Sequence, residues 1–553
     1  MHDKYSKVNE ERTKHINSLV ESPSPKKVVV AGPGTGKTYL FSKVLNRKQK
    51  TLTLTFINSL VEDLSLELCG LSDVKTLHSY ARSILSKASG KNLKIFSKLS
   101  STIRTDARII LDKDINFDWI FNQRDESKSD LLEFYKQRRK YYDYYGFSDI
   151  IYTAVLYFEK GDDKIPEYDQ IVVDEFQDFN KLEVDFINLL SLKSPILLAG
   201  DDDQALYQFK GSSNQFIRDR FFNTYKGYDS FNLPFCARCP KVIVEATNDF
   251  IDSAISKGHL QGRIDKPFIY FDCPEKDKIS ANYPLINHAH VYEKQIPWFI
   301  ETKIAEIAND IKGNFSVLII SPYKKKTIPI CNSLKQKGLQ NIDFEIREDE
   351  RLSIIDGLKI LLDDKHDNLG WRIVAEFMMH PIKFQEIITK SYANPEVKFE
   401  DILPIDLKKN IKQLLIVTNY INKKKPVNEE SLNELCKTIG INKQEVIFNH
   451  LHNLLKSNKT PLGKPEIRKI PIKGTTIQSA KGLAADIVFI THFDDQYFIQ
   501  HKDKKTISDQ DICNFLVSIT RAKQCLFLIS TNGTNPIFLA WISKKRINFT
   551  KTK

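Results

Sequence analysis

The chain has 553 residues, 41% of them apolar and 27% charged, with a formal net charge of +12. That length exceeds a single hydrophobic core and fits roughly three or four domains, and the apolar share excludes an intrinsically disordered chain. No apolar run approaches bilayer thickness and the start, Met1 to His15, is charged, so neither a spanning helix nor a secretory signal is expected. A cytoplasmic protein with no membrane partner follows as the expectation. The pI near 9.0 suits a polyanionic partner such as nucleic acid, although basic runs such as Lys136 to Lys140 and Lys544 to Arg546 each read as a solvated face. Of eight cysteines only Cys236 and Cys239 stand at C-x-x-C spacing, and without a second pair a zinc or iron–sulfur site is not expected.

In chain order, the first element is the apolar run Lys27 to Val30, read as a buried strand. Ala31, Gly32, Pro33, Gly34, Thr35, Gly36, Lys37 and Thr38 follow it. A strand, a glycine-rich turn and a helix opening on Lys-Thr is the pattern of a phosphate-binding loop. Glycines let backbone N–H groups close around phosphate oxygens at a helix N-terminus, while the lysine meets the outer phosphates and the hydroxyl meets Mg²⁺. The residue that usually opens this pattern as glycine is Ala31.

Thr51 to Phe56 alternates with period two and predicts the next strand, and Ile171 to Asp174 and Ile196 to Ala199 read as short buried strands. Each ends in polar residues at its C-terminal edge, where open α/β sheets bind ligands. Between them, 82–163 turns charged, aromatic-rich and helix-leaning, as an insertion would. A second α/β pattern starts at Ser316 to Ile320 and resumes at Ile487 to Ile490 and Cys525 to Ile529, split by a polar, helix-leaning stretch. The fold class expected is α/β: two parallel-sheet domains, each carrying a mainly helical insertion. The boundaries expected are 1–81 and 164–245 for the first domain, 246–346 and 465–553 for the second, and 82–163 and 347–464 for the insertions.

Ile171-Val-Val-Asp174-Glu175-Phe-Gln177-Asp178 places two carboxylates at the end of a buried strand. Beside a phosphate loop, that is where a metal and an attacking water must be held: Asp174, with Thr38, toward Mg²⁺, and Glu175 toward the water.

At this point the sequence resembles the UvrD/Rep-type superfamily 1 helicases, whose acid motif has the form D-E-x-Q-D. Further segments match in the family's order: Thr55-Phe-Ile-Asn58, Val74 to Tyr80, Ala199 to Gly211, Leu233 to Arg238, Thr476 to Leu483 and Val517 to Lys523. The resemblance implies two RecA-like domains that bind ATP and Mg²⁺ in the cleft between them. It implies that Gln204 senses the γ-phosphate and that Arg238 and Arg521 act as arginine fingers from the two walls. It also implies a groove for single-stranded DNA in which Phe56, Tyr207 and Phe209 stack on bases, with Asn58, His78 and Lys210 as polar neighbours.

Some positions depart from the family's pattern. The aromatic expected before the motif IV arginine is Ala237, the glutamate that ends motif V is Ala484, its histidine is Gln478, and the N-terminal glutamine has no obvious match around Asn9 to Arg12. Phosphate chemistry looks intact and base recognition eroded, so looser choice among nucleoside triphosphates is expected. The function implied is a DNA-dependent ATPase that translocates on single-stranded DNA and unwinds tailed duplex, 3′ to 5′. The rival reading is an ATP-driven DNA-sensing switch that serves a separately encoded partner, such as a nuclease or repair factor, without processive unwinding.

Overall fold

The computed structural model describes residues 2–56, 58–206, 211–310, 314–345, 351–422, 469–500 and 506–550. The first sheet is built from β1 (Lys26–Ala31), β2 (Thr51–Thr55), β3 (Asp73–Thr76), β4 (Gln170–Val173), β5 (Ile196–Gly200) and β6 (Asp229–Leu233). They lie in the order β3-β2-β4-β5-β1-β6 and every pairing is parallel. Strands covered on both faces read as continuous apolar runs, which is why Val28 to Val30, Ile171 to Val173 and Ile196 to Ala199 are so plain in the sequence.

β2 behaves differently. Its Thr-Leu alternation predicts one wetted face, yet all five residues are buried. Thr51 and Thr53 tolerate this because Thr51 Oγ1 donates to Leu71 O at 2.5 Å and Thr53 Oγ1 shares a 2.8 Å hydrogen bond with Ser72 Oγ.

A short parallel pair, β7 (Phe235–Cys236) and β8 (Ile269–Tyr270), follows the first sheet. The second sheet comprises β9 (Ile286–His290), β10 (Val317–Ser321), β11 (Ile342–Glu345), β12 (Ile472–Thr476), β13 (Ala485–Thr491), β14 (Ala522–Ser530) and β15 (Ile547–Thr550). Its order is β11-β12-β10-β13-β14-β9-β15, again parallel throughout. Apolar cores lie on its two faces, one around Phe250, Phe493 and Phe515, the other around Ile319, Phe489 and Phe527. The α/β class expected from the sequence is therefore present as two parallel sheets.

By its contacts the chain divides into two units. Met1–Leu77, Gly161–Arg347 and Pro461–Lys553 carry both sheets, while His78–Lys160 and Glu348–Thr460 form the other unit. The two helical insertions, separate in the sequence, thus share one body. In its interior the Asp106 carboxylate, fully buried, accepts from Arg138 Nε at 2.9 Å, from Arg372 Nη2 at 2.9 Å and from Tyr142 Oη at 2.6 Å. Burial alone would raise the pKa of this carboxyl, but Arg372 and Arg138 hold it below the ordinary range. Removing one member of such a cluster strands buried charge, at a cost of about 3–5 kcal/mol. Asp106→Asn should therefore shift the urea unfolding of this unit to lower denaturant. An unchanged midpoint would show that the cluster contributes nothing.

Candidate active site

The phosphate loop, the acid pair and Gln204 sit beyond the C-terminal ends of the first sheet's strands, where loops leave the core and polar groups can gather. β1 ends at Ala31, and the loop turns into the helix Lys37–Leu45 through Gly34 and Gly36, with φ of 71° and 95°. Both angles lie where side chains are strained, and both glycines also need the space. A Cβ on Gly34 would fall 2.2 Å from Arg238 Cβ, and one on Gly36 would fall 2.9 Å from Arg12 Nη2. The loop is braced by Thr35 Oγ1, which donates to Gly32 O at 2.9 Å. It is tied to the chain after β6 by Ala237 N–H, which donates to Gly34 O at 2.9 Å.

Lys37 reaches across to the end of β4, with Nζ 2.7 Å from Glu175 Oε1 and 3.6 Å from Asp174 Oδ1. Glu175 holds a left-handed φ of 56°, which aims its carboxylate back at the loop. Burial would raise the Glu175 pKa, but Lys37 and Lys481 hold it well below the usual carboxylate range. Asp174 goes the other way, pushed up to about 6 mainly by burial, with Lys37 opposing and Glu175 adding to the shift. One acid of the pair is thus firmly ionised, while the other titrates where a bound cation could take the place of its proton.

A chain of buried polar contacts runs from this pair into the second sheet. Gln177 Nε2 donates to Glu175 Oε2 at 2.7 Å, and Gln177 Oε1 accepts from Asp201 N–H at 3.0 Å. Gln204, beyond β5, donates through Nε2 to Asp201 Oδ2 at 2.7 Å and accepts at Oε1 from Arg521 Nη2 at 3.1 Å. Lys481, between β12 and β13, places Nζ 2.5 Å from Asp178 Oδ2, 3.2 Å from Glu175 Oε2 and 2.8 Å from Gln204 O.

Arg521 follows the helix Asp509–Ile519, whose start is closed by a reciprocal Ser508–Asp511 cap, and it immediately precedes β14. It is 2% exposed, and its guanidinium also donates to Val517 O and Leu483 O. Burial and the nearby Arg238 push its pKa down to about 9.

Several of these residues border one cleft of about 620 Å³. Its lining includes the loop from Gly32 to Thr38 together with Asp174, Glu175, Gln204, Arg238 and Arg521. The donor set fits a triphosphate with Mg²⁺. Backbone N–H groups open a helix, Thr38 and Asp174 face the same space, and Arg238 and Arg521 crowd each other in a way an anion would relieve. A second acidic group, Asp201, Asp202 and Asp203, has the spacing of a metal site but already holds a cation. Lys266 Nζ lies 2.9, 2.6 and 2.9 Å from the three carboxylates.

The residues expected to contact DNA are less gathered. Phe56 is half-buried, 5.6 Å edge-on from Phe179 and packed against Leu206, Cys513 and Val517. His78 lies in the helical unit with its ring 4.5 Å from that of Phe147. The Asn58 side chain and residues Tyr207, Phe209 and Lys210 lie outside the described residues.

Three contributors were missed in the sequence. Lys481 and Gln177 stand inside segments that drew attention, but the partners of Lys481 are distant in the chain and Gln177 joins its neighbour Glu175 to Asp201 beyond the next strand. Lys276, which donates to Arg238 O, sits in the lysine-rich helix Pro274–Asn282 and gives no local signal.

Comparison with known proteins agrees with this geometry. Residues 111–224 match the UvrD/REP helicase N-terminal domain, and residues 372–533 match the UvrD-like helicase C-terminal domain. The chain is 23% identical to the probable DNA helicase II homolog of Mycoplasma genitalium, over 94% of this chain and 85% of that protein. Its counterpart in Mycoplasma capricolum is 21% identical over 91% and 82%. DNA helicase II of Escherichia coli is 33% identical over 16% of this chain and 12% of its own length. A phosphate loop, an acid pair and two arginines share one cleft, and both halves of the family match in order: the chain belongs to the UvrD/Rep-type family of ATP-dependent DNA helicases.

Proposed function

We propose that this protein is a DNA-dependent ATPase that translocates on single-stranded DNA and unwinds tailed duplex with 3′ to 5′ polarity, acting in the cytoplasm. The observation that carries the reading is the polar chain from Glu175 through Gln177, Asp201 and Gln204 to Arg521, because it joins the hydrolytic end of one sheet to the other. A motor needs such a link. Without it, a change at the phosphates has no rigid path to the domain that must move.

The chain's residues then take distinct roles. Lys37 holds the outer phosphates, and because its ammonium is shared with Glu175, a phosphate oxygen competing for it would leave that carboxylate turned toward water as a base. Thr38 and Asp174 would hold Mg²⁺, which supplies positive charge to the phosphates when bound. Gln204 reads the γ-phosphate position, with Arg521 and Arg238 supplying charge from the two walls. Phe56 and His78 are assigned to the DNA path, and Lys481 keeps Glu175 and Asp178 in register with the second sheet.

The test is strand displacement on duplexes with a 3′ or a 5′ tail, run beside ATP turnover with and without single strands. The expected result is turnover raised by single-stranded DNA and displacement of the 3′-tailed substrate only. Stimulated turnover with no displacement on either substrate would overturn the unwinding assignment.

A further inference from the structure

Arg12 lies in the helix His2–Glu21, with its guanidinium carbon 5.6 Å from the centroid of Tyr39 and 4.9 Å from that of Phe271. Its Nη2 is the nearest atom to the space beside Gly36. Among the described residues no carboxylate, carbonyl or hydroxyl accepts a hydrogen bond from it, and its Nε is buried without a partner. A guanidinium presents five donors and no acceptor, so leaving one unpaired and partly desolvated is costly unless something else is to meet it. Two rings fix its plane without using its donors. The cleft reaches this place: Tyr39, 50% exposed, lines it together with Ala237 and Ile279, beyond the end of the loop that takes phosphates.

We propose that Arg12 makes the base end of this cleft a reader of 6-oxopurines, so that guanosine and inosine triphosphates bind at least as tightly as ATP. The inference rests on the nucleotide site of the function proposed above. Guanine and hypoxanthine present two acceptors side by side, N7 and O6, which match the two donors of an arginine fork. Adenine presents N7 beside an amino group, which opposes a donor and suits an amide such as glutamine. Tyr39, whose ring also carries the Lys43 ammonium 5.1 Å from its centroid, offers a partly exposed aromatic surface next to the fork, on a cleft where position 237 carries only a methyl group.

The experiment is competition binding. A fluorescent N-methylanthraniloyl nucleotide is displaced from the full chain by ATP, GTP, ITP or 7-deaza-GTP, using the parent, Arg12→Gln and Arg12→Lys. GTP and ITP are expected to displace the probe at concentrations about 5- to 150-fold below that of ATP, the discrimination of one bidentate base contact. Loss of N7 in 7-deaza-GTP should remove most of the advantage. Arg12→Gln should move the preference toward ATP, and Arg12→Lys, which lacks the fork, should flatten it, with melting temperatures confirming that both variants fold.

Tighter binding of ATP by the parent, or a GTP to ATP ratio that Arg12→Gln leaves unmoved, would overturn the proposal. Binding with the expected ratio but no hydrolysis of any nucleotide would instead sink the motor reading alone. Failure of every triphosphate to bind would end both.

Discussion

Replacing Lys37 by alanine is expected to lower nucleotide hydrolysis by at least about 10²–10³-fold and to leave the chain folded. The first half of that expectation follows from placement. Lys37 is the residue that both borders the cleft and touches both acids, at 2.7 Å from Glu175 and 3.6 Å from Asp174. Its charge therefore serves twice, on the phosphates and on the pair that must handle Mg²⁺ and water.

The second half follows from Lys481, whose Nζ stays 3.2 Å from Glu175 and keeps that buried carboxylate neutralised when Lys37 is gone. Asp174, already pushed up to about 6, would be shifted further and would take up a proton near neutral pH. The measurement is single-turnover hydrolysis with the melting temperature read in parallel. Hydrolysis at the parent rate would refute the loop assignment. A collapsed melting temperature would show that Lys37 holds the fold rather than the phosphates.

What could be read in the sequence, and what could not, divides along the range of the forces involved. β1, β4 and β5 are covered on both faces, so their residues had to be apolar and the polar groups had to gather beyond their C-terminal ends. Loop and acid pair were legible because each directly follows such a strand, whereas Gln204 was reached through the family resemblance. β9 was not legible: Ile286-Asn-His-Ala-His290 has no apolar run, and the buried His288 is met at Nε2 by Ser530 Oγ, on β14, at 2.9 Å.

The helical segments could be read as helical, but their union could not. It depends on Asp106 in one segment meeting Arg372 in the other, and a single aspartate in an amphipathic helix looks like any surface acid. Arg12 is the same case at the site. Within a helix rich in glutamate and lysine it is indistinguishable from a solvated charge until Gly36, Tyr39 and Phe271 are placed around it.

Arg521 should produce the largest separation between chemistry and stability. Its guanidinium is buried, it is satisfied by Val517 O, Leu483 O and Gln204 Oε1, and no carboxylate among the described residues lies within salt-bridge distance. Burying a cation without a counterion costs free energy, which shows here as a pKa pushed down to about 9 by burial and by Arg238. A fold has no reason to carry that cost, but a site that must stabilise charge spread over a phosphoryl group does. An arginine so placed is worth about 10³–10⁵-fold in turnover. Arg521→Met keeps the length of the side chain and removes the charge. It should therefore reduce turnover by about that factor while the melting temperature holds or rises and binding of nucleotide persists. Arg521→Lys should fall between, since an ammonium restores the charge but cannot reach Gln204 and an anion with one planar fork. If Arg521→Met instead lost stability and kept its turnover, the arginine would be a structural strut and the charge in the cleft would have to come from Arg238 alone.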